Sequence, residues 1–233
     1  VAAGTLTKTE DNPSNVFCTF NPLNYLNDGN TYANGNTHVS RYSGPNWRQS
    51  HGTLGITKGK FYWEVKYANS NDPNITIGIK EASLAILGQD NKGGTTNGYN
   101  GHVYTNDGHS ISNNTSNTSY GATLTNDDIV SVAFDADNMK LYFAKNGTWQ
   151  NSGVPTSGST GTGAISVTSA SGGDNVWLPS VTTHKAGAKA NFGNGFFVST
   201  AVASAGTNAS GLGIFEYDVP TNYTALCTKG LNE

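Results

Sequence analysis

Glu64 is the carboxylate that first invites a catalytic reading. It stands inside Phe61-Tyr62-Trp63-Glu64-Val65-Lys66-Tyr67, a run with the look of a strand. Glycoside cleavage needs two carboxyl groups facing each other about 5–10 Å apart, set on one strand at i, i+2 or i, i+4. The i+2 neighbour of Glu64 is Lys66, and its i−2 neighbour is Tyr62. Glu64 is therefore a lone acid beside a base, expected as a cross-strand partner on a solvated face. Asp135 and Asp137, with Asn138 adjacent, have a D-x-D spacing that suits Ca²⁺. The competing reading is an Asx turn between two strands, in which such side chains cap backbone amides. His38, His51, His102, His109 and His184 form no H-x-H or H-E-x-x-H pattern and read as loop hydrogen-bonding residues. No serine sits in a G-x-S-x-G elbow, and no glycine-rich stretch links a strand to a helix as a phosphate cradle requires. The residues thus predict no catalytic group, no metal and no cofactor.

Cys18 and Cys227 belong to no CxxC or metal-like spacing. They read either as two buried free thiols or as a disulfide tying neighbouring termini. N-x-[Ser/Thr] triplets at Asn74, Asn114, Asn146 and Asn222 are no more than this composition supplies by chance.

The elements that must position these groups are strands. Phe61, Trp63, Val65 and Tyr67 alternate with Tyr62, Glu64 and Lys66, a period of two. Ile75, Ile77 and Ile79 repeat the pattern after the turn-forming residues 69–73, and residues 129–134 and 140–145 form a further pair. Asn146-Gly147 is the strongest hairpin signal in the chain, because both central residues of a type I′ turn need positive φ. Further strands are expected over 176–181 and 189–192, and one short helical turn over 81–87. The expected core is Phe61, Trp63, Val65, Ile75, Ile77, Ile79, Val130, Val132, Phe134, Leu141 and Phe143. Between the strands, 88–101, 152–174 and 199–213 are long loops, and loops of that length are functional or mobile.

Composition narrows the function. Charged residues make up 12 % of the 233 residues, against roughly 25 % in an average domain. Asn, Ser, Thr and 29 glycines take their place, while 10 % aromatic residues suffice for a core. The net charge is −3 and the lysines and arginines are scattered along the sequence, so the basic stripe of a nucleic-acid binder is absent. No apolar run approaches the ~18 residues of a membrane span. The opening Val1-Ala2-Ala3-Gly4 lacks an initiator Met and reads as a fragment or processed product. A chain of this length suits one large β-sandwich domain.

A series of motifs in order now identifies a resemblance. Gly59-Lys60-Phe61-Tyr62-Trp63-Glu64-Val65 looks like the G-K-x-Y-W-E-V opening of SPRY domains, and residues 75–80 resemble the strand that follows it. Residues 128–135 are similar to the D-x-I-x-V-x-x-D segment, and residues 141–147 to L-x-F-x-K-N-G. Trp177-Leu178-Pro179 and Asn191-Phe192-Gly193 resemble the closing elements. The resemblance implies an all-β, bent antiparallel sandwich of two sheets, concanavalin A-like, with long loops at one end. It also implies one domain over 1–233, with a family core near 48–197 on which 1–47 and 198–233 pack. The ending Val219-Pro220-Thr221-Asn222-Tyr223-Thr224-Ala225-Leu226-Cys227-Thr228 resembles a P-x-G-Y-x-A-L-C-T tail of SPRY-bearing bacteriophage virion proteins, with Asn222 at the usual Gly.

SPRY domains bind partners through loops held on rigid sheets, so the expected function is a non-catalytic binding or structural module. The resemblance of the tail implies a place on the surface of a phage particle, extracellular, as a capsid decoration or tail-fibre domain. Its partners would be other virion proteins, a host-surface receptor or glycan, or further copies of the chain, with no nucleic acid and no membrane insertion. The alternative is a lectin-like carbohydrate-binding module. Loop aromatics are the expected anchors: Tyr99 first, flanked by Asn97, Asn100 and Gln89, then Trp47 and Tyr120, with Tyr104 and Trp149 as further candidates. For each aromatic the competing reading is a ring that closes the sandwich.

Overall fold

The alternation read above becomes two antiparallel sheets. The structure, a computed structural model, describes residues 15–23, 30–41, 47–68, 74–84, 101–113 and 117–232. In chain order come β1 (Asn30–Ala33), β2 (His38–Arg41), β3 (Arg48–His51), β4 (Lys60–Ala68) and β5 (Asn74–Glu81). They are followed by β6 (Gly101–Thr105), β7 (His109–Ser112), β8 (Thr118–Ser119), β9 (Ile129–Asp135), β10 (Lys140–Lys145) and β11 (Thr148–Trp149). Then come β12 (Ile165–Ser166), β13 (Trp177–His184), β14 (Gly187–Asn191), β15 (Phe196–Phe197), β16 (Thr200–Ala201) and β17 (Thr224–Ala225). The larger sheet runs β1-β2-β14-β4-β9-β10-β11, with β12 also on β10 and β17 also on β4. The smaller runs β3-β13-β5-β6-β7-β8, and β15-β16 is a separate hairpin.

All eleven expected core residues are buried, none more than 2 % exposed. Rings meet across the two sheets: Phe134 of β9 lies edge-on to Trp177 of β13 at 6.4 Å, and Tyr104 of β6 stacks on Phe143 of β10 at 5.6 Å. One continuous apolar cluster therefore joins the inner faces, which is how a sandwich buries both.

The Asn146-Gly147 turn forms as expected. Lys145 pairs with Thr148, and φ is +47° at Asn146 and +78° at Gly147. The turn is also tied down, since Asn146 Oδ1 accepts the Ile129 N–H at 2.8 Å and its Nδ2 donates to Asp128 at 2.6 Å. The expected helical turn over 81–87 is a 3₁₀ turn over Ala82–Leu84, with 85–87 outside the described residues. Asp135 and Asp137 form the Asx-type turn. Asp135 Oδ1 accepts the Asn138 N–H at 3.0 Å, and Asp137 Oδ1 accepts the Gly59 N–H at 2.8 Å. Cys18 and Cys227 are free, buried thiols; the Cys18 N–H donates to Leu226 O at 2.9 Å, so the two ends of the described chain run side by side.

One expectation is overturned. The second face of β4 is not solvated, because Tyr62 and Glu64 are both 0 % exposed. Residues 212–227 pass over that face, with Phe215, Tyr223, Ala225, Leu226 and Cys227 all buried. Phe215 meets the Tyr62 ring edge-on at 4.9 Å, and β17 adds a short parallel pairing to Phe61 and Tyr62. A strand with polar residues on alternate positions reads as half-wet only when its neighbours in sequence are all that is visible.

Candidate functional site

Of the residues the sequence nominates for binding, Gln89, Asn97, Tyr99 and Asn100 lie outside the described residues. Trp47 is half-buried where the chain enters β3, stacked on His184 with centroids 5.5 Å apart. Tyr120 is a core residue, 6 % exposed. Its ring lies edge-on to Tyr104 and Phe143, and its hydroxyl donates to Gly163 O at 3.1 Å. That packing closes the sandwich and leaves the ring no face to present to a partner. Tyr104 is 0 % exposed and donates to Ala122 O. Trp47 and Tyr120 are not brought together: one adjoins β3 and the other β8, opposite edges of the smaller sheet.

The densest polar constellation is instead built on Glu64. Its Oε1 accepts the Tyr62 hydroxyl at 3.0 Å and the Tyr217 N–H at 2.9 Å. Its Oε2 accepts the Glu216 N–H at 2.9 Å and Asn191 Nδ2 at 3.2 Å. Tyr62 pairs with the Ser131 hydroxyl at 2.9 Å from the adjacent strand. Asn191 lies directly opposite Glu64 on β14, and its Oδ1 accepts the N–H groups of Gly193 and Gly195, both at 3.0 Å. Burial pushes the Glu64 carboxyl up to about 7, against the pull of these four donors. Burial likewise raises the Tyr62 phenol well above its ordinary value.

This arrangement is suited to holding the covering segment in place. Both carboxylate oxygens are spent on four donors, two of them backbone amides of the covering segment. Glu216, the other carboxyl brought near, accepts the Ala203 N–H through its Oε2 at 2.7 Å. Glu64 therefore clamps residues 214–217 to the outer face of the larger sheet. A hydrogen-bonded, buried carboxylate is costly to leave unpaired, so the clamp is directional as well as strong. Local sequence misses this role because the partners lie about 150 residues away. The signal that was present is Tyr62: an aromatic on the supposedly wet parity of β4 announces a second apolar cover.

The covering segment leaves two concavities beside it. One, of about 450 Å³, lies between the start of β4, the Asp137 turn and residues 209–210 and 221–224, with Lys60, Ser210, Asn222 and Tyr223 in its wall. Lys60 pairs with Asp135 at 2.8 Å and lies 6.0 Å from the Tyr223 ring centroid. The other, of about 190 Å³, is lined by Tyr62, Ser131, Trp149, Tyr217 and Asp218 among others. Their walls mix aromatic rings with neutral hydrogen-bonding groups and the charged Lys60, Asp137 and Asp218. Among the described residues no cluster of three or more His, Cys, Asp or Glu could hold a metal ion. Nor is any helix among them long and apolar enough to cross a membrane.

Comparison with known proteins bears on the same elements. The sequence profile of the SPRY domain matches residues 60–176, from β4 to the residue before β13. The crystal structure of the SPRY domain of human HERC1 superposes with a TM-score of 0.52 at 16 % identity, covering 73 % of this chain and 96 % of that one. A second crystal structure of a human SPRY domain aligns at TM-score 0.48 and 12 % identity, over 70 % of this chain and 94 % of that one. The structure of stonustoxin aligns at TM-score 0.49 and 15 % identity, over 74 % of this chain and 26 % of that one. No curated protein sequence matches the chain.

Proposed function

This chain belongs to the SPRY domain family, and on that premise we propose that it is a non-catalytic binding module on the outer surface of a bacteriophage particle. It would serve as a capsid decoration or tail-fibre domain that contacts other virion proteins or the host surface. SPRY domains mediate protein–protein interactions, which supports the binding half of this reading. The observation that carries the virion half is the ending Val219–Thr228 and its resemblance to the tails of SPRY-bearing virion proteins. Low charge and many Asn, Ser, Thr and Gly residues fit the same reading.

The contact surface is assigned to the loops, with Gln89, Asn97, Tyr99 and Asn100 as first candidates and Trp47 as a second anchor. Immobilised chain should capture a protein from disrupted particles, and Tyr99→Ala should weaken that capture with the melting temperature unchanged. Selective retention on a glycan array, with no particle protein captured, would overturn this reading in favour of a lectin-like one. A large loss of stability in Tyr99→Ala would make Tyr99 a core residue and remove it from the surface.

A further inference from the structure

Basic residues scattered through the sequence are gathered by the larger sheet. Lys189 of β14 stands directly opposite His38 of β2 on one side and Lys66 of β4 on the other. Val39, Ala188, Ala190, Val65 and Tyr67 of the same strands point into the core, so the alternate positions 38, 189 and 66 face outward. With strands about 4.8 Å apart, three basic side chains are rooted within about 10 Å. Like charges directly opposite one another on a sheet are destabilising. Burial, and then the Lys189 ammonium, hold the His38 imidazole below its ordinary value.

Nothing among the described residues neutralises the row. The ion pairs there are Lys60–Asp135 and Lys145–Asp128, and His109 Nδ1 lies 3.3 Å from Asp107. The Lys66 ammonium instead lies over the Phe197 ring, 5.2 Å from its centroid. Glu64 shares the outer face, but its oxygens are bonded to Tyr62, Asn191 and the 216–217 amides. Glu216 of the covering segment bonds the Ala203 N–H.

We propose that this row binds the phosphate of a phosphorylated side chain on a partner protein, held between Lys66 and Lys189 with His38 flanking it. The proposal rests on the protein-binding reading above. A carboxylate would offset one of the two ammonium charges, whereas a phosphate monoester carries about −1.5 to −2 at neutral pH and three strong acceptor oxygens. Rigid strands hold the two lysines in place without closure of a loop.

The test follows the His38 ring protons by NMR in the chain of residues 1–233 at low ionic strength. N-acetyl-O-phosphoserine amide should shift them saturably and raise the His38 pKa, while N-acetylserine amide should not. Lys66→Gln and Lys189→Gln should each weaken binding about tenfold, as loss of one charge-assisted bond implies. Each variant should also melt no lower than the parent, since it relieves a like-charge contact. An unshifted His38, or binding by both variants as tight as the parent's, overturns the proposal. A response to glucose 6-phosphate with none to the phosphoserine compound overturns the assignment to a protein. If phosphoserine fails while particle proteins are still captured, the phosphate site falls and the binding module stands. If both fail, the module reading falls with it.

Discussion

Burial sets the behaviour of Glu64 more than its identity does. Removing the carboxyl in Glu64→Ala would leave the Glu216 and Tyr217 N–H groups and one Asn191 side-chain N–H without their acceptor, while the Tyr62 hydroxyl keeps Ser131. Orphaned buried donors cost about 1–3 kcal/mol each before relaxation, so this variant should lose at least about 3 kcal/mol in a denaturant titration. An effect below 1 kcal/mol would mean that the 214–217 segment is not clamped. The raised carboxyl value gives a second test with a definite sign. A folded-state value above the unfolded one means that the fold binds this proton more tightly than the open chain does. The cost of burying the ionised form is then complete above about 7 and is relieved as pH falls toward the ordinary carboxylate range. Acidification from pH 7 to 5 should raise the melting temperature relative to Glu64→Gln, which does not titrate. A relative fall would contradict the burial argument. Trp63, 1 % exposed on the inner face, is the simpler case. Its truncation to Ala should cost roughly 3–5 kcal/mol, and a value near zero would remove it from the core.

The strands were legible and their second cover was not. Alternation in β4, β5, β9 and β10 placed the inner-face residues correctly, because period two is a local property of the chain. Whether the opposite face of β4 is wet depends on residues 212–227, which no local pattern of β4 reveals. The same limit governed the candidate site. Trp47 was found half-buried, whereas Tyr120 sits in a loop by sequence and in the core by packing, since its ring fills the gap between Tyr104 and Phe143. The β10–β11 hairpin was readable from two residues, and the fold adds a contact to it. A Cβ on Gly147 would meet Tyr217 Cδ1 at 2.7 Å, so the turn and the covering segment touch. Gly147→Val should therefore destabilise by more than positive φ alone, which costs about 1–3 kcal/mol. Thermal melts of Gly147→Val beside Gly147→Ala would read this; an unchanged midpoint in both would count against the turn.

For the molecule as a whole, scattered charge in sequence does not mean scattered charge in space. The chain's neutral composition predicts loop recognition that changes little with salt, because few charges are there to be screened. The His38, Lys189 and Lys66 row predicts the opposite behaviour on the larger sheet. Partner binding measured at 20 and 300 mM salt separates the two surfaces: loop contacts should persist, while phosphate binding should weaken. Residues 214–217 and β17 tie the chain's C-terminal part to its central strand, so the described residues share one core and are expected to melt in a single transition. A module on the outside of a particle has to be visible there. In a cryo-electron microscopy map of a particle that carries the chain, density for the sandwich is expected on the outer surface, touching a neighbouring protein through the loops. A purified particle with no such density, and no trace of the chain by mass spectrometry, would contradict that placement.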